Sequence, residues 1–301
     1  MSSPAVNRDA FDASDWGLLA SAALMWGSSF LLIAIALEDM HPGLITFLRL
    51  VFGAAVLVWF PAARRSIPRR EWRAIALLGT LWMALPLMLF PIAQQWIDSS
   101  IAGMLNGAVP LFAAAAGILL FNARLSRVQA AGLLMGFSGV ILIGLPSLQD
   151  GRATALGTGL VIVATVCYGI ALNLAVPLQQ RYGSLPVLVR AQAVAIVLTL
   201  PFGLLGWGSS AASWEAILAV GALGCLGTAL AFVAMATLVG RVGAARGSVA
   251  IYFIPVVAII LGTVFRNEEP APISLAGAAL VILGAYVTSR RDKAPVIAPA
   301  A

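Results

Sequence analysis

Trp72-Arg73-Ala74-Ile75-Ala76-Leu77-Leu78-Gly79 is answered 142 residues later by Trp214-Glu215-Ala216-Ile217-Leu218-Ala219-Val220-Gly221, and the register runs on without a gap to Phe90 and Phe232. Working outward, Gly17, Leu18, Ala22, Gly27 and Leu32 return as Gly159, Leu160, Ala164, Gly169 and Leu174, and Arg49, Ala54, Val56 and Leu57 return as Arg190, Ala195, Val197 and Leu198. Further along, Pro110, Gly117, Asn122, Gly132 and Gly139 return as Pro255, Gly262, Asn267, Gly277 and Gly284. The chain is written twice, and each copy carries five hydrophobic segments. An odd number of spans turns the second copy upside down in a membrane. Inverted repeats of this kind place a transport site near the bilayer midplane, where the copies meet.

Composition supports the membrane reading. With 61% apolar and 10% charged residues among 301, the chain has too little polar surface to cover a soluble globule. A helix needs roughly 17 to 25 mostly apolar residues to cross a bilayer. Ten such stretches are expected, at 15–37, 43–63, 74–95, 99–121, 128–146, 155–177, 185–206, 214–239, 244–265 and 273–289. They do not alternate with period two, which excludes a β-barrel. The expected architecture is an all-α membrane protein of ten transmembrane helices in two inverted five-helix repeats. The first repeat covers 15–146 and the second 155–289, between cytoplasmic segments 1–14 and 290–301. No stretch outside the spans is long enough to bury a core of its own.

Charge sets the orientation. With both termini in the cytoplasm, Arg8, the five arginines of the 64–73 loop, Arg124, Arg127, Arg181, Arg241, Arg246, Arg290, Arg291 and Lys293 fall inside. Only Arg152 and Arg266 then fall outside, beside Glu38, Asp39, Asp98, Asp150, Glu268 and Glu269. The net charge of +6 is therefore an orientation signal, and no basic face with interleaved aromatics exists to hold a nucleic acid. The first span follows Asp9, Asp12 and Asp15 rather than a basic run and lacks a small-residue cleavage pattern, so it reads as a retained helix. Cys167 and Cys225 sit in mid-span, where neither a disulfide nor a metal spacing can be argued.

Catalytic apparatus is missing. The single histidine, His41, lies in an outer loop, and there is no phosphate-binding loop, metal cluster or Ser/His/Asp set. No enzyme activity, cofactor or metal is expected. The only ionisable residues well inside spans are the repeat mates Arg49 and Arg190. Each lies about six residues in, a depth that a long side chain can recover by snorkelling. A pair of gates is the sharper alternative. No Asp or Glu lies centrally in a span, which points to a facilitator or exchanger and to a zwitterionic or neutral solute.

The other polar and aromatic groups at midmembrane depth are Trp26, Ser29, Trp82, Asn106, Tyr168, Asn173, Thr228, Ser248 and Tyr252. Together they describe an aromatic-lined pocket with hydroxyls and amides, suited to a small amphipathic solute. Asn106 and Asn173 stand out because an unpaired amide in hydrocarbon costs several kcal/mol. Pro86, Pro110 and Pro255 remove backbone hydrogen bonds within spans and are candidate hinges.

Ten spans in two copies, the first reading Leu24-Met25-Trp26-Gly27-Ser28-Ser29-Phe30, an arginine early in the second, Pro110 in the fourth and Gly132 to Gly144 in the fifth resemble the EamA-type drug/metabolite transporter superfamily. The resemblance covers the chain from about Trp16 to Ser289, and within it the YddG-type exporters of aromatic amino acids and methyl viologen look most similar. It implies a central cavity walled by the first to fourth and sixth to ninth spans, with the fifth and tenth peripheral. The chain departs from a symmetric motif in having Tyr168-Gly169 where the first copy has Trp26-Gly27. The resulting expectation is a bacterial inner-membrane exporter of amino acids or similar metabolites working by alternating access, with lipid and a small solute as its partners. A monomer is compatible with that reading. Efflux of lipophilic cations and, in another class, a pore or structural membrane protein are the alternatives.

Overall fold

The computed structural model describes residues 12–121, 126–149, 151–242 and 249–289. Ser248 and Asn122 lie outside these, as do Arg8, Arg124, Asp150, Arg246, Arg290, Arg291 and Lys293 of the charge pattern. The described residues form helices and connecting turns without a strand. The first copy contains α1 (Ala13–Ala36), α2 (Pro42–Leu57), α3 (Trp72–Leu78), a π-helical stretch Gly79–Ala84, α4 (Leu85–Ala93), α5 (Ser99–Asn106), α6 (Val109–Phe121) and α7 (Arg127–Gln149). The second contains α8 (Arg152–Tyr182), α9 (Ser184–Trp207), α10 (Trp214–Ala222), a π-helical stretch Leu223–Leu230, α11 (Ala231–Val242), α12 (Val249–Tyr252), α13 (Ile254–Arg266) and α14 (Pro272–Ser289). Among the described residues, eight helical stretches are long and apolar enough to cross a membrane, and two shorter apolar helices, Pro42–Leu57 and Pro272–Thr288, accompany them.

Local chemistry sets the helix ends. Asp12 and Asp15 form a reciprocal capping box at the start of α1, with Asp12 Oδ1 accepting from the Asp15 amide at 2.9 Å. His41 Nδ1 accepts from the Gly43 amide, and Pro42 occupies the first position of α2. The second span was expected to reach residue 63, but α2 stops at Leu57 and Pro61 opens a short 3₁₀ turn, Pro61–Arg64. Proline cannot donate the bond that would continue the helix. Shortening α2 to 16 residues puts Arg49 at the middle of its helix, not near one end.

The two π-helical stretches are repeat mates and have different causes. In the first copy the stretch ends just before Pro86, which has no N–H for the Trp82 carbonyl one turn back. In the second copy Thr228 stands at that position, and its hydroxyl donates to the Leu223 carbonyl at 3.1 Å, competing with the backbone ladder. At Pro110 and Pro255 the structure goes further than a kink. The chain leaves the helix between Asn106 and Val109 and again at Phe253, and each proline stands second in the helix that resumes.

Repeat mates pack against each other with their residue numbers running in opposite directions. Along α2 and α9, a β-carbon at Gly43 would meet the Phe202 carbonyl, whereas one at Gly53 would meet Gln192. Along α7 and α14, Gly132 faces Thr288 and Gly139 faces Gly277. Added β-carbons would come within 2.7 Å of the partner backbone at both of these α7 positions, so the backbones touch through glycine, which is how helices associate without a hydrophobic driving force. Along α5 and α13, Gly103 faces Ala258 and Gly107 faces Pro255, which brings the two broken helices together. Large apolar side chains such as Leu119, Leu148 and Leu205 point outward, as a lipid-facing surface requires.

Candidate functional site

Arg49 is a buried charge at mid-helix. It lies at the middle of α2, is 6% exposed, and its Nε donates to Thr228 Oγ1 at 2.7 Å, so one copy's arginine bonds the other copy's π-helical stretch. A hydrogen bond to a charged group contributes about 1.5–3 kcal/mol, less than the several kcal/mol it costs to desolvate an ion. Gly227 lets Ser29 of α1 come close. A β-carbon there would lie 2.6 Å from Ser29 Oγ and 3.8 Å from Arg49 Nη2. Ser29 donates to the Met25 carbonyl of its own helix at 3.0 Å. The Tyr168 phenol lies within electrostatic reach of Arg49.

Aromatic rings pair across the copies on the same helices, Trp26 one turn before Ser29 and Phe232 one turn after Thr228. Trp26 and Trp82 both meet Phe232 edge-on, with centroids 5.3 Å apart in each pair. Tyr168 stacks on Phe90 at 6.0 Å, and Phe30 meets Phe90 edge-on at 5.5 Å. Trp26 and Tyr168 are repeat mates, as are Phe90 and Phe232, so each copy lends one ring to the same contact made on the other side. Trp82 is 7% exposed, while Trp26 and Tyr168 are half-buried.

The remaining expected site residues divide. Asn106 ends α5 beside the helix break, is half-buried, and has no side-chain hydrogen bond among the described residues. Pro110 also removes the usual donor to its carbonyl. Asn173 donates both to the Ala113 carbonyl at 2.9 Å and to the Gly169 carbonyl at 3.0 Å, which pins α8 to α6. Tyr252 donates to the Ala285 carbonyl of α14 at 3.1 Å and meets Tyr286 edge-on. Both residues thus engage packing partners. Arg190 donates to the Ala63 carbonyl at 3.1 Å and to the Pro186 carbonyl of its own helix at 3.0 Å, near one end of α9.

Sequence reasoning passed over three participants. Phe90 and Phe232 were visible as repeat mates but not as ring partners. Gln192 is fully buried, and its Nε2 donates to the Leu50 carbonyl at 2.7 Å while its Oε1 has no partner. It could have been found by the cost of a lone amide in an apolar span, the argument that singled out Asn106.

Ion pairs join the copies at both ends. Arg241 pairs with Asp15 at 3.1 Å at one end, and Arg266 pairs with Glu38 at the other. At that second end Glu268 accepts from the Ser99 and Ser100 amides at 3.0 and 2.8 Å and from the Ser99 hydroxyl, capping α5 from the opposite copy. A cavity of about 440 Å³ opens there, lined by Glu38, Gln94, Gln95, Asp98, Arg266 and Glu268. Burial, then the nearby Glu268, pushes the Asp98 carboxyl above its usual range.

Residues 16–145 and 155–290 each match the EamA-like transporter family. The chain belongs to that family. This EamA protein is a multi-pass membrane transporter and not an enzyme. It is 26% identical over 279 residues to a probable terminal-alkyne amino-acid exporter of Streptantibioticus cattleyicolor, covering 92% of this chain and 93% of the other. It is 25% identical over 295 residues to the inner membrane transporter YedA of Escherichia coli K12, covering 94% of each chain. A crystal structure 21% identical to it shares the fold with a TM-score of 0.65, over 92% of this EamA chain and 96% of the other.

Proposed function

We propose that the protein is a secondary transporter that exports amino acids or related small metabolites across a bacterial inner membrane by alternating access. In this reading ten spans form two inverted repeats, at 15–146 and 155–289, with both termini in the cytoplasm. The opposite numbering of α2 against α9, α5 against α13 and α7 against α14 supports the inversion. The observation that carries the function is the meeting of the copies at midspan. Arg49 of one copy is bonded to Thr228 of the other, and rings of the two copies pair as Trp26 with Phe232 and Tyr168 with Phe90. A structural protein has no use for a desolvated charge at that depth.

Trp26, Ser29, Trp82, Tyr168 and Thr228 line the substrate site with Arg49, and Asn106 offers an amide and a carbonyl at the break beside it. Pro86, Pro110 and Pro255 mark where helices bend as one end opens, and the Arg266–Glu38 and Arg241–Asp15 pairs hold the two ends shut in turn. Similarity to the probable amino-acid exporter of Streptantibioticus favours amino acids over other metabolites. Efflux of a dication such as methyl viologen fits less well, because the Arg49 guanidinium would repel it.

Counterflow in proteoliposomes tests the proposal. Purified protein should exchange labelled neutral and aromatic amino acids with saturation. Absence of saturable exchange for every amino acid, with and without a pH gradient, would remove amino-acid export. Unitary currents in planar bilayers would replace the carrier with a pore.

A further inference from the structure

Among the described residues, the four N–H groups on the terminal nitrogens of Arg49 have no acceptor, and no carboxylate stands within ion-pair distance of them. Every described Asp and Glu lies at or beyond a helix end. A guanidinium fork matches a carboxylate with two parallel hydrogen bonds, and leaving it unmatched in a dry interior is costly. Thr228 holds Nε and so fixes the plane of the fork, and the closest described neighbours on the Gly227 side are the Ser29 hydroxyl and the Met25 carbonyl. The rings of Trp26 and Trp82 both meet Phe232, which follows Thr228 by one helical turn and supplies apolar surface on the same helix.

We propose that Arg49 is the carboxylate anchor of the substrate site, and that the transported solutes are carboxylates with an apolar or aromatic body. The proposal rests on the transporter reading and narrows it. An overall neutral solute is not sufficient, because the recognised group is its negative end. The ammonium of an amino acid finds no acidic partner in the cluster, so an acid lacking the amine is recognised nearly as well as the amino acid. An amine or amide lacking the carboxylate is not.

The test uses four probes on the full-length protein: L-phenylalanine, 3-phenylpropionate, L-phenylalaninamide and phenethylamine. Each competes with labelled L-phenylalanine in counterflow, and each is titrated against tryptophan fluorescence, since Trp26 and Trp82 flank the site. The two acids should bind within about fivefold of each other and at least about thirtyfold more tightly than the amide and the amine. Arg49→Met should erase that preference, and Arg49→Lys should keep part of it. Equal affinity of wild-type protein for the acid and the amide would overturn the assignment whatever the variants do. If no labelled amino acid is exchanged, the export reading falls separately. Fluorescence quenching by the same probes then decides Arg49 on its own, and quenching without acid selectivity rejects it.

Discussion

Arg49 and Arg190 hold the same place in the two copies, yet one is a buried charge bonded across the molecule and the other ties down a helix end. The difference comes from what the opposite copy presents. Arg49 faces Thr228, whose hydroxyl accepts its Nε–H, next to Gly227, where a β-carbon would press on Ser29. The mates of those two residues in the first copy are Pro86 and Leu85, a residue without a hydroxyl and a bulky one. Arg190 instead reaches the Ala63 and Pro186 carbonyls. Duplication supplies two equivalent arginines, and divergence at their partners leaves one of them buried against the other copy.

The largest expected effect comes from exchanging the arginines one at a time. Arg49→Met should lower counterflow by about 30- to 150-fold, the equivalent of about 2–3 kcal/mol from one charge-assisted interaction. Arg190→Met should cost less than about threefold, in line with a surface-level helix tie. Equal losses would return the two residues to the role of paired gates.

Next comes the space beside the fork. Gly227→Leu copies the first repeat's residue into the second and should block transport while the protein still elutes as a folded species. Leu85→Gly, the reverse exchange at a 38% exposed position, should leave transport nearly unchanged and cost about 1 kcal/mol of stability. Transport persisting in Gly227→Leu would place the substrate elsewhere.

Removing the partner of Nε should matter less than removing the charge. Thr228→Val keeps the shape and deletes the acceptor, and an affinity loss of about tenfold for a carboxylate is expected, near 1.4 kcal/mol. A change no larger than twofold would mean that Thr228 only packs.

The smallest effect lies at the end of the molecule, where Asp98 has its carboxyl pushed up by burial and by Glu268. The folded protein binds that proton more tightly than the unfolded chain. The stabilisation is therefore fully present below the unfolded value of 3.8 and is lost as pH rises through the raised folded one. Asp98→Asn should flatten this part of the melting-temperature profile and raise Tm slightly at neutral pH, leaving substrate selectivity alone. A shift in selectivity would tie the mouth to the site.

Much of the fold could be read directly. The register from Trp72 to Phe90 against Trp214 to Phe232 required two copies, and the apolar lengths required helices in lipid. Pro110 and Pro255 marked interruptions that the structure makes into full breaks. The site was less legible. Asn173 and Tyr252 are polar at the right depth, but their hydrogen bonds go to the Ala113 and Ala285 carbonyls, and depth in a span does not reveal the side chain's direction. Arg49 stands about as far from the start of α2 as its span position implies, and it falls at mid-helix because α2 stops at Leu57 before Pro61.

The sequence by itself determined that the chain is a duplicated, helical membrane protein without catalytic groups, because periodicity, apolar length and residue type are properties of the chain alone. Tertiary structure decided which of the two repeat-mate arginines is buried and bonded across the copies. The fate of a charge in a membrane depends on the acceptors that another segment brings to it, and at Arg49 the acceptor comes from Thr228, far along the chain.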